Sequence, residues 1–339
     1  MLKSQNKFTI ITVNYKTWYL IEYQLKIYYE FNNPKDFHFV IIDNSASEEE
    51  KINLEKVVGK YRIFGNIETI YNIPFLTESN KAGVNLGSSQ HGQGLDIGLK
   101  KAYEIYDSNS EFKYCIMQDP DWFWAIPNHL NYLKKEMESK NLCAIGGSYN
   151  FPDQRYILKS QYNTGKFDFP ALFGCAFDLS TFDRTISLMP GGDDNLLGVI
   201  EGKDVGWQKR KYFSEKGLKY LSFMQNNKSN LRKMLGNTNK EDLMFEYCKS
   251  IFDRKIIAYH LLRGSQVSED FYTNFATNFL STKQKENPIW RDNKLAFALF
   301  IYESITTGKH RKMNWKTIII CYKKRYKLLL KSIFSYAKI

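Results

Sequence analysis

Disulfide chemistry has little to draw on in this chain. Five cysteines, Cys115, Cys143, Cys175, Cys248 and Cys321, are scattered along it and none stands in a CxxC pair. An odd, dispersed set gives neither a disulfide framework nor zinc-ligand spacing, and it fits a reducing, cytosolic compartment. No apolar run approaches the roughly 20 residues that cross a bilayer. The first residues, Met1-Leu2-Lys3-Ser4-Gln5, pass into a strand-like run without an apolar leader core. The expectation is a cytoplasmic protein, soluble or lying on a membrane face. A dinucleotide fingerprint is also missing: the glycines at 92, 94 and 98 are spaced GxGxxxG, not GxGxxG, and no strand directly precedes them. RRM, KH and zinc signatures of nucleic-acid binding are absent. Acidic residues are absent from Lys309 to Lys338.

What is present is charge of one sign, aromatics and a few short apolar runs. The 339 residues carry 48 Lys and Arg against 36 Asp and Glu, a net charge of +12. At 43% hydrophobic and 16% aromatic the chain can bury the core of one large or two modest domains. Its charge implies an anionic partner: nucleic acid, a phosphorylated ligand or an acidic membrane surface. Much of it gathers at the end, where Lys309, Arg311, Lys312, Lys316, Lys323, Lys324, Arg325 and Lys327 alternate with Trp315, Ile318, Tyr322, Tyr326 and Leu328. That pattern predicts a basic amphipathic helix, lying either in an anionic lipid interface or against its own domain.

The amino-terminal half reads as βαβ. Phe8 to Val13 and Phe37 to Ile42 are continuous apolar, β-branched runs, and a helical stripe from Trp18 to Phe31 lies between them. Such spacing implies parallel strands, with ligands beyond their carboxyl ends. Asn14, Tyr15 and Asp43 stand at those ends. Asp43-Asn44-Ser45 suits either a ligand contact or a cap for the next helix. A third strand is expected at Ile67 to Ile73. A glycine-rich loop over 83–98 then leads into a helix from Leu99.

The focus of the chain is Tyr114 to Phe123, YCIMQDPDWF. A buried strand ends at Asp119-Pro120-Asp121, because Pro120 has no N–H for the ladder. Two carboxylates one residue apart suit a hard divalent cation, Mg²⁺ or Mn²⁺; a solvated acidic turn is the plainer alternative. A helix is expected over Pro127–Lys140, strands at 142–147 and 173–177, a short helix over Phe182–Met189 and a helix from Asp204 to Lys216, before Gly217. Glu201 and Asp204 are three apart, which shares a helical face; they serve either the helix dipole or as a general base. Residues 225–240 read as a polar insertion. His260 follows a short strand and is either structurally satisfied or close to the metal.

In order and spacing these residues resemble a family 2 glycosyltransferase, over about Phe8 to Ser265. The matching segments are Ile11-Thr12-Val13-Asn14-Tyr15-Lys16, Val40-Ile41-Ile42-Asp43-Asn44-Ser45, Gly92 to Gly98, Asp119-Pro120-Asp121 as a DXD motif, Asp193-Asp194-Asn195-Leu196 with Glu201 and Asp204, and His260 with Gly264-Ser265. The resemblance implies a GT-A fold: an α/β, Rossmann-like mixed sheet flanked by helices over 6–265. Aromatics and leucines at helical spacing from Asp270 onward predict a helical extension over 266–339. The resemblance also implies a nucleotide-sugar donor held by Thr12, Asn14, Tyr15, Asp43, Asp96, Gln118 and Asp119, and Mg²⁺ or Mn²⁺ held by Asp119, Asp121 and His260. Asp204 or Glu201 would be the base of an inverting transfer to a lipid-linked bacterial surface glycan, on the inner face of the membrane. Three departures stand out. Asp96 replaces a usual asparagine, Gly202 occupies a position where the family carries a carboxylate often assigned as base, and Gln208 replaces a frequent arginine. The rival expectations are a catalytically impaired relative acting as a membrane scaffold, a nucleotidyltransferase and a basic nucleic-acid-binding protein.

Overall fold

The computed structural model describes residues 6–45, 47–73, 86–148, 170–189, 205–226, 244–249 and 256–262. The chain divides into two compact units, residues 1–227 with 246–265 and residues 228–245 with 266–339. Almost every described residue belongs to the first. The carboxyl-terminal extension and nearly all of the polar insertion lie outside the described residues.

The continuous apolar runs become the centre of a sheet. β1 (Phe8–Asn14) is buried at every position and β2 (Phe37–Asp43) at all but His38. Runs of that kind suit parallel strands with both faces covered. With β3 (Ile67–Tyr71), β4 (Tyr114–Gln118), β6 (Ala144–Ser148), β7 (Pro170–Asp178) and β8 (Tyr220–Ser222) they form a seven-stranded sheet ordered β3-β2-β1-β4-β7-β6-β8. β1 runs parallel to β2 and β4, and β2 to β3. β7 is antiparallel to both β4 and β6, while β6 and β8 are parallel. The sheet is therefore mixed. A second, four-stranded sheet is ordered β5-β11-β10-β9, from Trp122–Trp124 (β5), Met224–Asn226 (β9), Met244–Lys249 (β10) and Ile256–Leu262 (β11).

Helices α1 (Trp18–Phe31), α2 (Glu48–Gly59) and α3 (Leu86–Ser108) follow β1, β2 and β3 in turn. α4 is His129–Lys140 and α5 is Trp207–Glu215. One core lies between the sheet and α3, gathering Ile11, Val13, Ile42, Leu95, Leu99 and Met117. On the other face Tyr28 of α1 meets the rings of Phe37 and Phe39 at 5.5 and 5.2 Å. α5 ends as its glycine requires: Gly217 takes φ +62°, and Leu218 N–H reaches back to the Phe213 carbonyl at 3.0 Å.

Two expectations change here. The described part of the glycine-rich stretch is helix from Leu86, not a loop reaching to Leu99. Its glycines serve packing: a Cβ on Gly98 would stand 2.4 Å from Ile11 Cγ2, and one on Gly94 2.8 Å from Val13 Cγ1. Glycine weakens an isolated helix, but here it lets α3 lie close on β1, and burial outweighs local propensity. Phe182–Met189, expected as a helix, is instead an irregular segment after a short 3-10 turn at Leu179–Thr181. Asp183 folds back on Thr185 through the backbone N–H and the hydroxyl, at 2.9 and 2.7 Å. Buried Lys209 donates to the Asp183 carbonyl at 3.2 Å. Side-chain bonds of this kind compete with helix formation.

Candidate functional site

β4 stops at Gln118, and the next three residues turn. Asp119 N–H still bonds to the Phe173 carbonyl at 3.0 Å, and Trp122 N–H closes the turn on the Asp119 carbonyl at 3.0 Å. Gln24 of α1 clamps the same turn, donating to the carbonyls of Asp119 and Trp122 at 2.6 and 3.1 Å. Both carboxylates are thus held at the carboxyl end of a central strand. β11 supplies the third group. It runs antiparallel to β5, and its register sets His260 opposite Trp122. A residue far along the chain thereby stands beside Asp121.

His260 Nε2 lies 3.4 Å from Asp121 Oδ1 and 4.0 Å from Asp119 Oδ2. One ligand atom from each of Asp119, Asp121 and His260 lies within 4.8 Å of the others. Atoms bound to one small cation at about 2.1 Å stand about 3 Å apart when adjacent and about 4 Å when opposite. The measured separations fit that geometry with small adjustments. Two carboxylates and one imidazole are a donor set that could hold a divalent cation. Asp121 and His260 are buried, and the His260 ring stacks on Phe173 with centroids 4.3 Å apart and planes 14° apart. A stacked, buried imidazole has few rotamers left, so its nitrogen is already aimed. Burial tends to raise the Asp119 carboxyl, but the charges of His91 and His260 and a hydrogen bond from His91 outweigh it and hold it below the usual carboxylate range.

The second group lies at the ends of β1 and β2. Asp43 is fully buried, and its Oδ1 accepts from Asn14 Nδ2 at 2.8 Å and Ser45 N–H at 3.1 Å. Asn14 Oδ1 in turn accepts from the Thr17 backbone and hydroxyl at 3.1 and 2.9 Å. Asp43 Oδ2 has no hydrogen-bond partner among the described residues. The cap of α2 is Ser47, whose hydroxyl accepts from Glu50 N–H at 3.2 Å. Asp43 is therefore not the cap. Tyr15 is exposed beyond β1, and Lys16 follows with φ +59°.

Other residues expected at the site have their side chains engaged within the fold. Thr12 and Gln118 face each other across β1 and β4 and are fully buried. Gln118 Oε1 accepts from Tyr28 OH at 2.7 Å and Trp124 Nε1 at 3.0 Å. The Asp96 carboxylate is taken by Ser187 Oγ at 2.5 Å and Leu188 N–H at 2.6 Å. Asp96 thus ties α3 to the irregular segment. Glu201, Asp204, Asp193 and Asp194 lie outside the described residues.

Three residues of the site escaped the reading of the sequence: Gln24, Phe173 and His91. His91 Nε2 lies 3.2 Å from Asp119 Oδ1. The signal for it was present, since 91, 94 and 98 share one helical face at i, i+3 and i+7. That face is visible only once the glycine stretch is known to be helix.

No family model matches the chain, and no curated protein sequence matches it. Among solved structures it is similar to residues 1–349 of S. aureus TarS in complex with UDP, at 18% identity over 45% of this chain and 39% of that one, with a TM-score of 0.31. It is similar to the mannosyltransferase PcManGT from Pyrobaculum calidifontis in complex with GDP-Man and Mn²⁺, at 11% identity over 98% of this chain and 83% of that one, TM-score 0.41. It is also similar to the galactosyltransferase LgtC in complex with donor and acceptor sugar analogues, at 14% identity over 62% and 72% of the two chains, TM-score 0.38. The chain spans 39% of the length of the TarS structure it matches.

Proposed function

We propose that this chain is a metal-dependent glycosyltransferase, moving a sugar from a nucleotide-diphosphate donor to a hydroxyl of a growing glycan. The observation that carries this reading is the Asp119–Asp121–His260 group at the carboxyl end of β4, two strands from the buried Asp43. Neighbouring strands are about 4.8 Å apart, so the ends of β2 and β4 lie about 10 Å apart. A nucleoside and its diphosphate can bridge that span. The order of the strands reverses beside β1, and open α/β sheets bind ligands at such a point.

The division of labour follows from what each side chain offers. Asp43 Oδ2 is a buried acceptor, and leaving one without a donor costs about 1–3 kcal/mol. An N–H or O–H of the donor's nucleoside would satisfy it, while Asn14 and Ser45 fix the other oxygen. Asp119, Asp121 and His260 would hold Mn²⁺ or Mg²⁺. Once bound, the ion supplies neutralising charge to the departing diphosphate. Asp204 or Glu201 would accept the proton of the attacking hydroxyl. A single in-line displacement of this kind inverts the anomeric centre. The acidless stretch from Lys309 to Lys338 supports a place on an anionic cytoplasmic membrane face, where a lipid-linked surface glycan would be the acceptor.

A thermal-shift panel of nucleoside diphosphates, with and without Mn²⁺, tests the reading, because a ligand of the folded state alone raises its stability. A shift that needs both nucleotide and metal is expected. No shift with any nucleotide, metal present, would overturn it.

A further inference from the structure

The two oxygens of Asp119 face different imidazoles: Oδ2 looks towards His260 at 4.0 Å and Oδ1 towards His91 at 3.2 Å. His260 belongs to the group with Asp121, whereas His91 stands outside that group. We infer that His91 is a positioning residue for the metal site, holding Asp119 by one oxygen so that the other is presented to the ion. The inference rests on the metal reading above and adds to it a residue from a separate element.

The fold explains how His91 gets there. Gly94 and Gly98 sit one and two turns along α3 from His91 on the same face, and they let the helix lie against Val13 and Ile11 of β1. The start of α3 is tied down as well, since Asn44 Nδ2 donates to the Gln90 carbonyl at 3.0 Å. A helix held this close to β1 carries its preceding turn over the strand's end. The next strand beyond β1 on that side is β4, whose end carries Asp119. The imidazole therefore spans from a helix packed on one strand to a carboxylate on its neighbour. The glycine face fixes how far it must reach. A carboxylate with one oxygen hydrogen-bonded and one oxygen free binds an ion with its direction already set. Partners of this outer kind are worth about 10–100-fold in metal affinity.

The test compares Mn²⁺ binding to the full chain, without nucleotide, by isothermal titration calorimetry and by electron paramagnetic resonance. H91A is expected to bind Mn²⁺ about 10–100-fold more weakly, with its metal-free melting temperature unchanged. H91Q, which keeps an N–H near the same place, is expected to recover part of the affinity. Nitrogen hyperfine coupling from one imidazole, His260, should persist in H91A. Equal affinity in wild type and H91A would overturn the positioning role. Two imidazole couplings in the wild type, falling to one in H91A, would also overturn it by making His91 a ligand. If the wild type itself binds no Mn²⁺, the metal reading fails, and that result is distinct from a wild type that binds and an H91A that binds equally well. Should H91A melt early, the H91Q comparison still decides between the outcomes.

Discussion

Asp121 and His260 approach to 3.4 Å although they stand 139 positions apart in sequence, the difference between 260 and 121. The antiparallel pairing of β11 with β5 creates the contact, and both side chains are buried. D121A removes one of two carboxylates and leaves the imidazole without it. The variant is expected to lose the Mn²⁺-dependent part of any nucleotide-induced thermal shift while still folding. An undiminished metal-dependent shift would move the metal elsewhere.

Proton abstraction separates two residues that geometry has not placed. D204N is expected to leave nucleotide binding intact and to lower turnover by roughly 10²-fold or more, the usual scale of losing a general base. Steady-state rates of sugar transfer, measured beside those of E201Q, decide which carboxylate acts. A loss confined to E201Q would assign the base to Glu201.

Gly174 has no room for a side chain. A Cβ there would stand 2.2 Å from Trp122 Cε2, in the middle of a fully buried indole. Trp122 follows Asp121 directly, and its ring lies 5.7 Å from that of His260. G174A is expected to destabilise the fold by about 1–3 kcal/mol, the cost of overpacking, and to weaken Mn²⁺ binding in parallel. Denaturant unfolding reads the first effect and calorimetry the second. A wild-type midpoint in G174A would contradict this packing.

His129 predicts acid sensitivity. It is fully buried, stacked on Trp124 with centroids 5.4 Å apart, and burial pushes its pKa down to about 3, against a small opposing hydrogen bond at Ile126. The folded state keeps this imidazole neutral, while the unfolded chain protonates it near pH 6.5. Stability is therefore whole above pH 6.5 and falls as pH drops towards the folded value. The loss from this one group is about 2 kcal/mol at pH 5. Thermal melts of wild type and H129F between pH 7.5 and 4.5 should differ in slope, with the variant flatter. Parallel slopes would show that another group sets the acid limit.

The basic end gives a separate test. Deleting residues after about Lys309 is expected to release the chain from anionic liposomes in a flotation assay without unfolding it. Retained binding would place the membrane contact elsewhere.

The sequence by itself determined the central strands of the large sheet and the acidic turn. Apolar runs of strand length between polar breaks, as at Phe8 to Val13 and Cys115 to Met117, carry their structure locally, and Pro120 ends a ladder wherever it stands. Asp43 was legible as a strand-end carboxylate for the same reason. Tertiary structure alone decided the rest. Residues 86–98 became helix because their glycines fit against Ile11 and Val13, a contact no local propensity encodes. Asp96 holds Ser187 and Leu188, in a segment brought to α3 only by packing. His260 reaches Asp121 through the register of two strands distant in the chain, and His91 reaches Asp119 through the closeness of a helix to a sheet. Local periodicity records which face a residue turns inward, whereas the partner waiting there is set by burial shared across the whole fold.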